Sequence, residues 1–163
     1  MKKKIEKKER KHGWEPMPAT LKVLFVLFII SAASSALSVM SIYMTGYPIF
    51  GYLATGYLAL VLLLVINTFC IALLAYATWK RYTWTFIYAA CLFVFFIANS
   101  LLSLTNVAGR VSALSKLIPA GAGMMPSMQS MMYNAIIIGV ITGVAINIVF
   151  LALMYWKRNY FKK

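Results

Sequence analysis

The sequence has almost no acidic residues. It contains no aspartate, and its three glutamates, Glu6, Glu9 and Glu15, all lie within the first fifteen residues. Residues 16–163 therefore have no carboxylate side chain, which excludes paired-carboxylate hydrolysis, carboxylate-bound metals and carboxylate proton relays from that part of the chain. The single histidine, His12, has no second histidine with which to form a metal or nucleophile site. We expect a protein that is not an enzyme and needs no cofactor.

Cysteine is scarce as well. The two cysteines, Cys70 and Cys91, flank a short basic segment at residues 80–83 and would lie at nearly equal depth on neighbouring helices. A disulfide or a shared metal is one interpretation of this pair. Buried free thiols are the interpretation that we favour, because the predicted position is inside a membrane, toward the cytoplasmic side.

Charged residues make up only 12% of the chain, against 63% hydrophobic residues and a mean hydropathy of +0.82. A soluble domain needs about twice that share of charge. We therefore predict an all-α, polytopic membrane protein with a four-transmembrane-helix bundle. Each apolar run is long enough to cross a hydrocarbon core of about 30 Å, and the four runs cover about residues 21–44, 52–79, 84–104 and 133–156.

The predicted organisation has a basic tail at residues 1–20, a membrane domain at 21–156 and a second basic tail at 157–163. Residues 105–132 form the long outer loop. Within this loop, Val107, Val111, Leu114 and Ile118 recur at helical spacing, which predicts a short amphipathic helix on the membrane surface.

The distribution of basic residues predicts the orientation. Fourteen of the sixteen lysines and arginines lie in the two tails, through Lys22 and after Trp156, and in the 80–83 turn. The positive-inside rule therefore places both termini in the cytoplasm of a multi-pass cell-membrane protein. All four tryptophans lie beside these basic segments, as expected at a membrane interface. A cleavable signal peptide is the alternative for the first run, which is longer than a usual signal sequence.

The net charge of +13 could indicate nucleic-acid binding, but the charges lie at the ends of apolar runs, where they meet lipid headgroups. We expect no nucleic-acid partner. The N-terminal cluster predicts contact with the bilayer through anionic lipid headgroups, and docking to a cytoplasmic partner is the alternative. The cluster consists of Lys2, Lys3, Lys4, Lys7, Lys8, Arg10 and Lys11.

Three asparagines fall within the predicted membrane helices: Asn67, Asn99 and Asn147. An amide in hydrocarbon seeks a hydrogen-bond partner, so we expect all three to face the bundle interior. Interhelical packing is the favoured interpretation, with Asn67 and Asn147 as the expected contact. A polar path for a small solute is the alternative.

Small residues predict close helix packing. Gly139 and Gly143 form a GxxxG pattern in the fourth run, and the pairs Ser31/Ser35 and Ser34/Ser38 have the same spacing in the first. Such pairs let helix backbones approach closely. We expect the first and fourth helices to pack tightly, within the bundle or against a partner.

Methionines cluster in the outer loop and its flank. Met124, Met128 and Met131 are candidate ligands for Cu(I), which prefers soft thioethers. Flexible apolar packing is the favoured interpretation, because no cysteine or histidine lies nearby.

The segment Ala77-Thr-Trp-Lys-Arg-Tyr-Thr-Trp84 places a tryptophan and basic residues between two helices. Near the end, Gly143-Val-Ala-Ile-Asn147 is followed by Leu-Met-Tyr-Trp-Lys-Arg-Asn-Tyr-Phe161. These patterns resemble those of small four-helix prokaryotic integral-membrane proteins of uncharacterised function, over residues 57–104 and 135–163. The resemblance implies the architecture and no mechanism.

Two classes of function remain. The first is a non-catalytic accessory or scaffold subunit that associates with a membrane-protein partner or forms a homo-oligomer. The second is a small oligomeric transporter, channel or holin-like pore. Proton antiport through a membrane-embedded glutamate is excluded, because residues 16–163 contain none.

Overall fold

The computed structural model describes residues 17–115 and 126–162, and most of them are helical. Four helices are long and apolar enough to cross a membrane, as the sequence predicts: Ala19–Leu37, Gly56–Lys80, Thr85–Ser112 and Ser127–Trp156. The N-terminal basic cluster lies outside the described residues.

The first apolar run is divided into two helices, α1 (Ala19–Leu37) and α2 (Val39–Thr45). The break lies at Ser38, whose hydroxyl donates to the carbonyl of Ser34 at 2.8 Å. Serine hydroxyls that bond back to the preceding turn compete with the helical ladder and bend helices. The single helix predicted over 21–44 is therefore wrong at this point.

A β-hairpin follows, which the sequence prediction missed. Strands β1 (Tyr47–Ile49) and β2 (Tyr52–Ala54) pair antiparallel, with Tyr47 opposite Ala54. Phe50 and Gly51 form the two-residue turn, with φ of 46° and 82°. Two consecutive positive φ values are typical of the type I′ turn, whose twist matches a hairpin. Residues 52–54, predicted as the start of the second helix, are thus a strand.

The second long helix begins at Gly56 and consists of α3 (Gly56–Leu62), a π-helical segment (Leu63–Phe69) and α4 (Cys70–Lys80). It ends at Arg81, which has a left-handed conformation with φ of 57°. The turn through residue 84 returns the chain antiparallel into α5 (Thr85–Ser103). The two helices form the tight hairpin expected from the short linker.

The outer loop predicted at 105–132 is largely helical where it is described. A 3₁₀ turn (Leu104–Asn106) links α5 to α6 (Val107–Ser115), and α7 runs over Pro126–Trp156. The last helix thus begins seven residues before the predicted 133. The stretch after Pro126 is helical as well, although it is more polar than the predicted membrane run. A 3₁₀ turn over Arg158–Tyr160 ends the described chain.

The largest core lies in the half of the bundle that carries both chain ends. It joins Leu21, Leu24 and Phe28 of α1 to Leu74 of α4 and Phe93 of α5, with further residues from α7. Arg81 ties the C-terminal segment to this half, since its Nε donates to the carbonyl of Tyr160 at 2.6 Å. Helix α5 packs extensively against α7, whereas α1 contacts α7 at only a few positions. This leaves a cleft between α1 and α7.

Candidate functional site

The three predicted asparagines line one cavity. It has a volume of about 320 Å³ and is bounded by α1, β1, the second long helix, α5 and α7. The prediction that these amides point inward agrees with this arrangement, although they do not contact one another. The cavity is partly open, and its polar lining consists of Ser31, Ser35, Tyr47, Asn67, Asn99, Ser100 and Asn147.

Asn99 holds the turn of the β-hairpin. Its Oδ1 accepts a hydrogen bond from the backbone N–H of Phe50 at 2.7 Å, and its Nδ2 donates to the carbonyl of Pro48 at 3.1 Å. Only 8% of Asn99 is exposed. The amide therefore satisfies two backbone groups of the hairpin. Asn99 thus links α5 to the hairpin and not to another helix.

Asn67 holds the first strand of the same hairpin. Its Oδ1 accepts a hydrogen bond from the hydroxyl of Tyr47 at 3.0 Å. Burial raises the pKa of Tyr47 to about 12. Asn67 lies in the π-helical segment, a distortion that occurs often at functional sites. The adjacent Thr68 has a buried Oγ1 without a hydrogen-bond partner among the described residues.

Asn147 bonds within its own helix. Its Nδ2 donates to the carbonyl of Gly143 at 2.7 Å. The predicted contact between Asn67 and Asn147 is absent from the described hydrogen bonds, in which Asn67 pairs with Tyr47 and Asn147 with the carbonyl of Gly143. Nothing in the described part of the chain bonds to Oδ1 of Asn147, so this acceptor remains available at the cavity.

The glycines of α7 do not pack against another described helix. A Cβ atom added to Gly139 or Gly143 would meet nothing within 4 Å. The prediction that these residues bring the first and fourth helices together is therefore wrong within this chain. Within the described residues α1 contacts α7 at only a few positions, and packing of the glycines against a partner stays a prediction.

Three phenylalanines close the cavity toward the chain ends. The ring centroids of Phe28 and Phe93 lie 6.0 Å apart, and each lies 5.8 Å from the ring of Phe150. Each phenylalanine is nearer the chain ends than the amides or serines of its own helix. The site is thus a partly open pocket that has the aromatic rings at one end and residues of the hairpin at the other.

A second cavity adjoins the first on the side of the outer helix. It has a volume of about 520 Å³ and shares Pro48, Asn99 and Ser100 with the first cavity. Arg110 of α6 lines it. Arg110 was not predicted as a site residue, since the isolated sequence does not show which residues face a cavity.

The other candidates lie apart from these cavities. Met128 and Met131 are exposed, and Met124 lies outside the described residues, so the Cu(I) hypothesis stays a prediction. Cys70 and Cys91 are free thiols in this structure. Residues 17–115 and 126–162 hold no group of three or more histidine, cysteine or acidic side chains that could bind a metal.

The hairpin and the aromatic closure were missed from the sequence. The stretch Gly46-Tyr-Pro-Ile-Phe-Gly51 does contain a signal, since it has two glycines and β-favouring residues between two apolar runs. The phenylalanines contain no such sequence signal, because an aromatic residue in an apolar helix predicts burial or lipid contact equally well. No protein-family model, curated protein or solved structure matches this chain.

Proposed function

We propose that this chain is a multi-pass protein of the cell membrane, with both termini in the cytoplasm, and that it acts as a non-catalytic accessory or scaffold subunit. In this proposal, the cleft between α1 and α7 receives side chains of a transmembrane helix from another protein or from a second copy. The asymmetric distribution of lysine and arginine supports the orientation.

The observation that carries the proposal is that the rest of the described chain covers little of the surface of α7. Only 6% of its most apolar window is buried within the chain, whereas the other three long helices bury 22–28%. Lipid could cover an entirely apolar surface of this kind. The cleft-facing side of α7, however, also carries Gly143 and the amide of Asn147.

These residues suit a helix partner. Small residues at helix interfaces permit close backbone approach, and amides hydrogen-bond across helices. Gly143 and the facing Ser31 and Ser35 of α1 are small, and the Oδ1 of Asn147 has no partner among the described residues. A cavity of about 320 Å³ accommodates a few side chains rather than a whole helix. A partner would therefore lie against the cleft and insert side chains into it.

Passage of a small solute is the second candidate, and it is favoured by the convergence of Asn67, Asn99 and Asn147 on one cavity. The Phe28, Phe93 and Phe150 rings stand across any path toward the chain ends. Conduction through one chain thus requires these rings to move. The scaffold proposal requires no such change.

Site-directed photo-crosslinking tests the scaffold proposal. A photoreactive residue at position 143 faces the cleft, and one at position 145 serves as the control, since Ala145 is exposed but lines neither cavity. In intact membranes we expect a discrete adduct from position 143 and none of that size from 145. Mass spectrometry of the adduct separates a second copy from another protein. Equal, diffuse labelling at both positions would contradict the proposal.

Flux through proteoliposomes tests the second candidate. Phe150→Ala should increase the release of a small polar solute if the rings block a path, and Asn67→Leu should reduce it. Absence of flux in the wild type and in Phe150→Ala would exclude passage through the single chain.

A further inference from the structure

Arg110 occupies an unusual position in the second cavity. It lies on α6, is half-buried, and lines a cavity of about 520 Å³ together with Ser100 and Ser103. Arg110 and Lys116 are the only two basic residues between Arg81 and Lys157. A half-buried guanidinium on the sparsely charged side of the bundle requires an explanation.

The described residues supply no counter-charge. Residues 16–163 contain no acidic side chain, and within residues 17–115 and 126–162 no hydrogen bond to the Arg110 side chain occurs. Partial burial of a cation without an anion is unfavourable. An anion from outside the described residues would supply the missing counter-charge.

The rest of the cavity indicates what kind of anion fits. Beside the polar groups of Asn99, Ser100 and Arg110, the cavity has an apolar wall that includes Leu114, Met132, Ile136 and Val140. A free inorganic anion would leave this apolar wall without a partner. An anion that carries hydrocarbon matches both halves of the cavity.

We propose that this cavity binds the phosphate headgroup of an anionic membrane lipid, with the Arg110 guanidinium on the phosphate and the lipid's hydrocarbon against the apolar wall. Arginine presents its N–H donors in a planar fork that matches two phosphate oxygens. The lipid site uses residues other than Gly143 and Asn147, so it goes beyond the scaffold proposal and does not depend on it.

Native mass spectrometry of the purified full chain tests the site. Phosphatidylglycerol is the probe, phosphatidylcholine is the zwitterionic comparison, and inorganic phosphate is the competitor. Arg110→Gln should weaken binding of the most tightly held phosphatidylglycerol about tenfold, as expected for loss of a charged hydrogen-bonding partner. Arg158→Gln is the matched control, because it removes the same charge near the chain ends, where Arg158 lies over the ring of Tyr155.

A second variant tests the apolar wall without a change in charge. Ala135→Leu adds bulk to an exposed residue that lines the cavity, so folding should be preserved while lipid binding falls. Wild-type lipid binding by Arg110→Gln would overturn the proposal, and so would an equal loss in Arg158→Gln. Displacement of the lipid by inorganic phosphate, with Ala135→Leu unchanged, would overturn the assignment to a lipid in favour of a free anion. The crosslink at position 143 should be the same in Arg110→Gln, which separates this test from that of the scaffold proposal.

Discussion

Asn99 and Phe50 are 49 residues apart in the chain, and the backbone N–H of Phe50 donates to Oδ1 of Asn99 at 2.7 Å. This bond fixes the turn of the hairpin to the C-terminal half of α5. Phe50 has a φ of 46°, a conformation that bulky residues rarely adopt. Its ring also contacts Phe95, with centroids 5.4 Å apart. The hydrogen bond and the ring contact together hold this unfavourable backbone in place.

Asn99→Leu should detach the hairpin. The substitution removes two hydrogen bonds and leaves the N–H of Phe50 without its partner, so we expect a loss of about 1–3 kcal/mol in the free energy of unfolding. Hydrogen exchange should increase at residues 47–54, measured by mass spectrometry in detergent. Asn147→Leu is the control, because that amide bonds only within its own helix. Equal exchange at the hairpin in both variants would contradict this role of Asn99.

Tyr47→Phe should destabilise the protein by about 1 kcal/mol, because Asn67 loses the donor that now bonds its Oδ1 at 3.0 Å. Tyr57→Phe should have no comparable effect, since Tyr57 is largely exposed. Thermal unfolding of the two variants in the same detergent measures the difference. A shift of the same size in both would show that the buried hydrogen bond contributes nothing.

The same tyrosine predicts a dependence on pH. Its pKa in the folded state is about 12, above the ordinary value of 10.0, because burial disfavours the phenolate. The stabilisation is therefore complete below pH 10 and is lost as the pH rises through 12. Tyr47→Phe should show a smaller loss of stability than the wild type over that interval. Identical alkaline profiles would contradict the assignment.

Phe93→Ala should be strongly destabilising. The ring is buried against Phe28 and Phe150, and removal of a buried phenylalanine ring costs about 3–5 kcal/mol in proteins where it has been measured. Val94→Ala at the next position should change stability by less than about 0.5 kcal/mol, because Val94 is 56% exposed. Unfolding midpoints of the two variants provide the comparison. Similar midpoints would mean that the three rings do not pack as a unit.

Two glycines with positive φ form a matched pair. Gly46 has a φ of 86°, and a Cβ there would lie 2.8 Å from the carbonyl oxygen of Ala54. Gly56 has a φ of 61° but would meet nothing within 4 Å. Both alanine variants should lose about 1–2 kcal/mol from the left-handed backbone, and Gly46→Ala should lose more because of the clash. Chemical denaturation of both variants measures this order, and the reverse order would contradict it.

Single cysteines test the proposed orientation. In a background with Cys70→Ala and Cys91→Ala, a membrane-impermeant maleimide should label Ser127→Cys in intact cells. It should label Lys162→Cys only after lysis. Both positions are exposed, so access to the reagent depends on the side of the membrane. Labelling of Lys162→Cys in intact cells would reverse the proposed topology.

Much of the fold could be predicted from local sequence. The four long helices follow from the lengths of the apolar runs, and the tight turn between the second and third follows from the four-residue linker. The division at Ser38 and the strand at Tyr52 were not predicted, because apolar residues of a β-hairpin have the same hydropathy as residues of a continuing helix. The glycines at 46 and 51 were the one local signal for the turn. Run length alone does not distinguish the two conformations.

The sequence by itself determined the predominantly helical architecture, the absence of acidic chemistry after Glu15 and the identity of the amides that must find partners. Only the tertiary structure decided which partners these are. Asn99 binds the backbone around Phe50, Asn67 binds Tyr47, and Asn147 binds its own helix, because a hydrogen bond goes to whichever group lies within about 3 Å. The same holds for the packing of the Phe28, Phe93 and Phe150 rings at the first cavity, and for the position of Arg110 in the wall of the second cavity. These arrangements depend on residues that are distant along the chain and adjacent only after folding.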